Sequence, residues 1–125
     1  MFGARARLVA LGCLALLAAG CVSDNRPDAA TCAQPQITIE LRLENDALEP
    51  NAIAVCREQL VTLDIDVRQD GVLDLHGYEL AQEIEAGKPA QFAFPADRSG
   101  QFPIELHPAG GGEAIDVGIL TVHEP

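Results

Sequence analysis

The chain is predicted to fold as an all-β antiparallel sandwich of about seven strands, on three observations. Apolar and polar residues alternate over most of the second two thirds of the sequence, which is the period of a half-buried strand. Turn-forming residues recur roughly every ten positions, the spacing of a small two-sheet fold. No stretch of helical length carries apolar residues at 3.6-residue spacing.

The elements follow in order. "ITIELRL" puts Ile37, Ile39, Leu41 and Leu43 on one face and Thr38, Glu40 and Arg42 on the other, and "NDALEP" breaks the chain. A short apolar piece at Ile53 to Val55 precedes "LVTLDIDVRQDG", where Val61, Leu63, Ile65 and Val67 share a face before a turn at Asp70-Gly71. "VLDLHGYEL" comes next, and "EAGKP" turns into "AQFAF", with Ala90, Phe92 and Phe94 inward. After "PADRSG", "QFPIELH" places Phe102, Ile104 and Leu106 together, and Pro103 belongs at an edge or an unpaired position. "PAGGGEA" is a loop, and in "IDVGILTV" Gly118 marks a bulge that shifts side-chain parity.

Before the strands lies an export signal. Arg5 and Arg7 precede the apolar run "LVALGCLALLAAG", which is too short to remain as a membrane-crossing helix. It ends in "LLAAGC", which resembles a bacterial lipobox, with Ala18 where leucine is usual and Leu17 one step back. That resemblance implies cleavage after Gly20, acylation of Cys21, and burial of acyl chains in a leaflet at about 0.8 kcal/mol per methylene. An ordinary secretory signal is the alternative. Val22 is not Asp, which in Gram-negative lipoproteins implies sorting to the outer membrane, facing the periplasm. The organisation expected is therefore signal peptide 1–20, lipidated cysteine and flexible tether 21–36, and one folded domain 37–125. The tether reading rests on "VSDNRPDAATCAQPQ", which is polar and has no apolar period. Fully extended, it reaches about 50 Å.

Charge and cysteines narrow the function. Without Arg5 and Arg7 the mature chain sets six Lys and Arg against nineteen Asp and Glu, a net of −13. Such a surface excludes nucleic acid as a partner. Cys13 leaves with the signal and Cys21 is acylated, so Cys32 and Cys56 remain as a pair in an oxidising compartment. An antiparallel neighbour relation is expected to join them in a disulfide that stabilises the fold by about 3 kcal/mol.

The segments "DLHGYEL", "IEAGKPAQFAF", "SGQFPIEL" and "GILTV", in that order from Ile37 to Val122, resemble the cupredoxins, in particular the copper domain of cytochrome oxidase subunit two. The resemblance implies a Greek-key β-sandwich. It also implies that His76, in the "HG-aromatic" segment, stands where the first copper ligand stands. The other ligands of that family, a cysteine, a histidine and usually a methionine, follow the strand that begins "G-x-aromatic". Here the cysteine position falls on Leu106, the nearby histidine is His107, and the only methionine is Met1. A blue-copper centre needs a thiolate and generally a weak axial ligand, and this chain does not supply them. The "HGY...ELH" pattern instead resembles a copper-depleted cupredoxin-like subgroup.

Two readings of His76 follow. In one, His76 and His107 meet at one end of the sandwich and bind a divalent ion such as copper(II), with Glu113 or Asp116 as an oxygen ligand. Parity opposes this, because Leu106 inward turns His107 outward, and a bulge at Pro103 is needed to restore it. In the other, His76 hydrogen-bonds across the sheet, and the domain is a metal-free module that recognises an envelope protein. No catalytic group is expected, and the chain is not read as an enzyme. Asp64 and Asp66 alternate with core residues and lack the glutamate of a calcium loop. Gly110 to Gly112 lack the lysine of a phosphate loop, and neither Ser23 nor Ser99 has a base beside it.

Overall fold

A computed structural model describes residues 25–125. The expected signal peptide and the expected acylation site, Cys21, lie outside the described residues. Among the described residues nine strands form two sheets: β1 (Gln36–Glu44), β2 (Ala47–Glu49), β4 (Leu60–Val67) and β7 (Ala90–Pro95) in the order β2-β1-β4-β7, and β3 (Ala52–Cys56), β5 (Gly71–Leu75), β6 (Leu80–Ile84), β8 (Gly100–Pro108) and β9 (Ile115–His123) in the order β3-β9-β8-β5-β6. A short helix, α1 (Ala29–Cys32), precedes them.

The faces are those expected from alternation. Leu41 and Leu43 of β1, Val61 to Val67 of β4 at every second position, and Phe92 and Phe94 of β7 bury one side of the first sheet. Leu73, Leu75, Ile104, Leu106, Leu120 and Val122 meet them from the second. Each side chain of this size, fully buried, stabilises by about 1.5–3 kcal/mol, so the interior between the sheets is the main source of stability.

Three expectations are corrected. There are nine strands, because Asn45 and Asp46, with φ of 53° and 59°, make a two-residue turn that lets Ala47–Glu49 pair back on β1, and the turn after Leu75 divides "VLDLHGYEL" into β5 and β6. The sheets are mixed, since β1 runs parallel to β4 and β3 parallel to β9. The chain crosses to the second sheet at β3 and returns at β4, so β4 starts at the end where β1 starts. Pro103 sits in a central strand, where its carbonyl accepts the N–H of His76 on the β5 side, while Ile119, opposite it on β9, donates its N–H away from β8, to Asn51 O.

The expected bulge is present on β9. Ile104 faces Gly118 and Glu105 faces Asp116, which leaves Val117 as the extra residue. Burial accordingly shifts from Val117 to Leu120 and Val122. Gly118 admits no side chain, because a Cβ would stand 2.9 Å from Asn51 O.

Most of the expected tether, from Asn25 onward, is docked on the domain. Asp28 caps α1 by accepting the Thr31 N–H at 2.7 Å. Asn25 donates to Ala52 O and Arg26 to Glu124 O. Cys32 and Cys56 form a disulfide with Cα atoms 5.3 Å apart. Their meeting comes from the parallel β1–β4 pair, in which Gln36 faces Leu60, and not from an antiparallel neighbour relation. Gln59, the one buried polar residue described, completes the weld: Oε1 accepts from Cys56 N, and Nε2 donates to Thr31 O and Gln34 O.

Candidate functional site

His76 follows β5, fixed by its own N–H to Pro103 O at 3.0 Å. Its side chain lies on the outer face of the five-stranded sheet. There the register sets Asp74 of β5 opposite Glu105 of β8, and Glu105 opposite Asp116 of β9. Carboxylates directly opposite one another repel. The imidazole offsets this repulsion, with Nε2 2.7 Å from Glu105 Oε2 and 3.7 Å from Asp74 Oδ2. The hydrogen bond to Glu105 raises the His76 pKa above its ordinary value, with further attraction from Glu105, Asp74 and Asp116 outweighing partial burial.

His107 is elsewhere. It is exposed and stands opposite Val72, whereas His76 lies beyond Leu75, which faces Ile104. Because β5 and β8 are antiparallel, the end of one is the beginning of the other. The two histidines are therefore about 13 Å apart along the strands and do not converge. The β8–β9 loop, where cupredoxins carry their remaining copper ligands, is at the His107 end, next to Gly71. Glu113 is in that loop, far from His76, while Asp116 is in the His76 row. His123 is half-buried and pairs with Cys56 in the β3–β9 ladder.

Copper is the group that the cupredoxin resemblance implies, and the donors among the described residues do not fit a blue-copper centre. The two described cysteines are bonded to each other at the β3 end of the domain. The loop from Pro108 to Ala114 contains no Cys, His or Met. Among the described residues, no group of three or more His, Cys, Asp or Glu side chains is arranged to hold a metal ion.

The "HGY" and "SGQF" segments meet instead in a packing clasp. Gly77 has φ of 85°, and a Cβ on it would stand 2.5 Å from the Phe102 ring. The Tyr78 ring packs on Phe94 at 4.8 Å and on Phe102 at 4.7 Å between centroids. Arg98 lies over Tyr78 at 4.9 Å, donates to Gly77 O, and its own carbonyl accepts from Tyr78 Oη at 3.1 Å. This clasp ties the β5–β6 turn to the β7–β8 loop. Reading the sequence missed Glu105 and Asp74 as partners of His76; the signal for Asp74 was present in "LDLH", where it stands two residues before His76, whereas Glu105 is brought there by the β5–β8 register.

An open groove of about 860 Å³ lies on the outer face of the four-stranded sheet. Two of its four carboxylates are engaged, Asp66 with Arg42 and Arg68 and Asp64 with Gln91, and Glu40 and Glu49 line it as well.

Two facing mixed sheets, with a first strand parallel to the fourth and an edge strand parallel to the last, define a cupredoxin-like β-sandwich. Solved structures agree. The chain is similar to a copper binding protein in the apo form (TM-score 0.59, 13% identity, 72% of this chain and 90% of that one). It is also similar to the metal binding domain of the Streptococcus pneumoniae Cu(I) exporting P-type ATPase CopA (0.55, 12%, 71% and 87%), and to auracyanin A, a blue copper protein of Chloroflexus aurantiacus (0.55, 15%, 70% and 99%). At these identities the likeness is one of fold. No protein-family model matches the chain, and no curated protein matches it in sequence.

Proposed function

We propose that this chain is an envelope-anchored lipoprotein whose cupredoxin-like domain lacks a type 1 copper centre and serves as a metal-free binding module for an envelope protein. The observation that carries the reading is the placement of donors. The thiols are joined at one edge of the domain, the histidines stand at opposite ends of the β5–β8 ladder, and the ligand loop is empty of sulfur and imidazole. Weak capture of a divalent ion such as copper(II) is the second reading. It is favoured by the imidazole and two carboxylates gathered at His76, and opposed by the raised His76 pKa, because the proton competes with the metal for Nε2.

Calorimetric titration of the mature domain with Cu(II), beside His76→Ala and His107→Ala, tests the choice. The binding-module reading expects the same weak heats in all three proteins. Stoichiometric binding that either substitution abolishes contradicts it and supports metal capture.

A further inference from the structure

We infer that the domain is held close against the membrane, with the β3 edge turned toward the lipid, and does not range freely on a long tether. The inference rests on the acylation of Cys21 proposed above. Its structural support is the docking of residues 25–35. Asn25 is fastened to Ala52 at the start of β3, Arg26 to the carbonyl of Glu124, α1 is capped by Asp28, and Cys32 is covalently joined to Cys56. Gln59 adds bonds to the carbonyls of Thr31 and Gln34 from beneath. The Leu60 N–H donates to Pro35 O at 2.9 Å, so the segment is continuous with β1.

The free length is what remains between the acylated residue and the first docked one. From Cys21 to Asn25 the chain makes four peptide steps, which reach at most about 14 Å, against about 50 Å for the whole segment extended. The attachment point also sets orientation. β3 is one edge of the five-stranded sheet and β6 is the other, so a chain emerging beside Ala52 puts β3 nearest the leaflet and β6 farthest from it. The acidic mature chain has no attraction to anionic headgroups. The acyl chains and the short link, not the protein surface, hold it there. A partner must therefore come to the membrane and approach from the β6 side.

The test uses the full-length protein, purified from membranes and inserted into a supported bilayer of phosphatidylethanolamine and phosphatidylglycerol, and measured by neutron reflectometry. Protein density is expected to begin within about 14 Å of the headgroups. An insertion of roughly twelve Gly and Ser residues after Asp24 should move it outward by up to about 20 Å. A solvent gap near 50 Å in the unmodified protein overturns the inference. Amide exchange on the same preparation separates the causes: protection at Cys32 and Ala33, whose N–H groups bond Asp28 O and Ala29 O, is expected, and rapid exchange there overturns the docking. Intact mass without acyl chains overturns the anchor, and the standoff with it, while the exchange result still reports on docking.

Discussion

Gly77 and Phe102 occupy one space: the ring of Phe102 fills the volume that any side chain on Gly77 would need. The motif that resembles a copper-ligand segment thus works in this chain as a clasp between a turn and a neighbouring strand. Its glycine is required twice, once for φ of 85° and once for the close approach. Gly77→Ala should cost about 1–3 kcal/mol from backbone strain, with further loss from displacing the ring. Urea unfolding at neutral pH measures it. A change within error of zero would show that the turn relaxes freely.

His76 predicts a pH dependence with a definite sign. Its pKa is raised in the folded state, chiefly by the bond to Glu105. The stabilisation is therefore fully present below the ordinary histidine value of about 6.5 and is lost as pH rises through the folded value. Glu105→Gln should lower the His76 titration midpoint, followed by ring-proton NMR. The stability gap between wild type and variant should narrow from about pH 5.5 to pH 8.5. A gap that widens over this window has the wrong sign for this account.

Gln59 is buried and satisfied at three bonds, two of them to the docked segment. Gln59→Leu keeps the bulk and strands the Cys56 N–H and the carbonyls of Thr31 and Gln34. A loss of about 1–3 kcal/mol is expected, together with faster amide exchange from Thr31 to Gln34. Unfolding and exchange measured on one sample distinguish local release from global loss.

Replacing both Cys32 and Cys56 by Ser should lower stability by about 3 kcal/mol, through the unfolded chain. Thermal unfolding of the variant beside the oxidised parent checks this. An equal midpoint would mean that the docked segment needs no crosslink.

How much of this was legible in the sequence depends on what alternation encodes. Period-two spacing tells which residues share a face, so the buried rows of β4 and β7 and the parity shift beside Gly118 could be read directly. It says nothing of which strands are neighbours. The parallel pairs and the three-residue β2 were hidden for that reason. The docked segment escaped because caps, backbone carbonyls and a disulfide hold it, none of which has an apolar period. The two histidines looked alike in "LDLH" and "IELH", yet antiparallel pairing of β5 with β8 sends residues at like positions to opposite ends.

The central claim is that, among the described residues, this cupredoxin-like fold has no thiolate free to bind copper, because Cys32 and Cys56 are joined. The most direct measurement is the visible absorption spectrum of the oxidised mature domain with one equivalent of Cu(II). The account predicts no intense thiolate-to-copper charge-transfer band, and an intense blue band would contradict it.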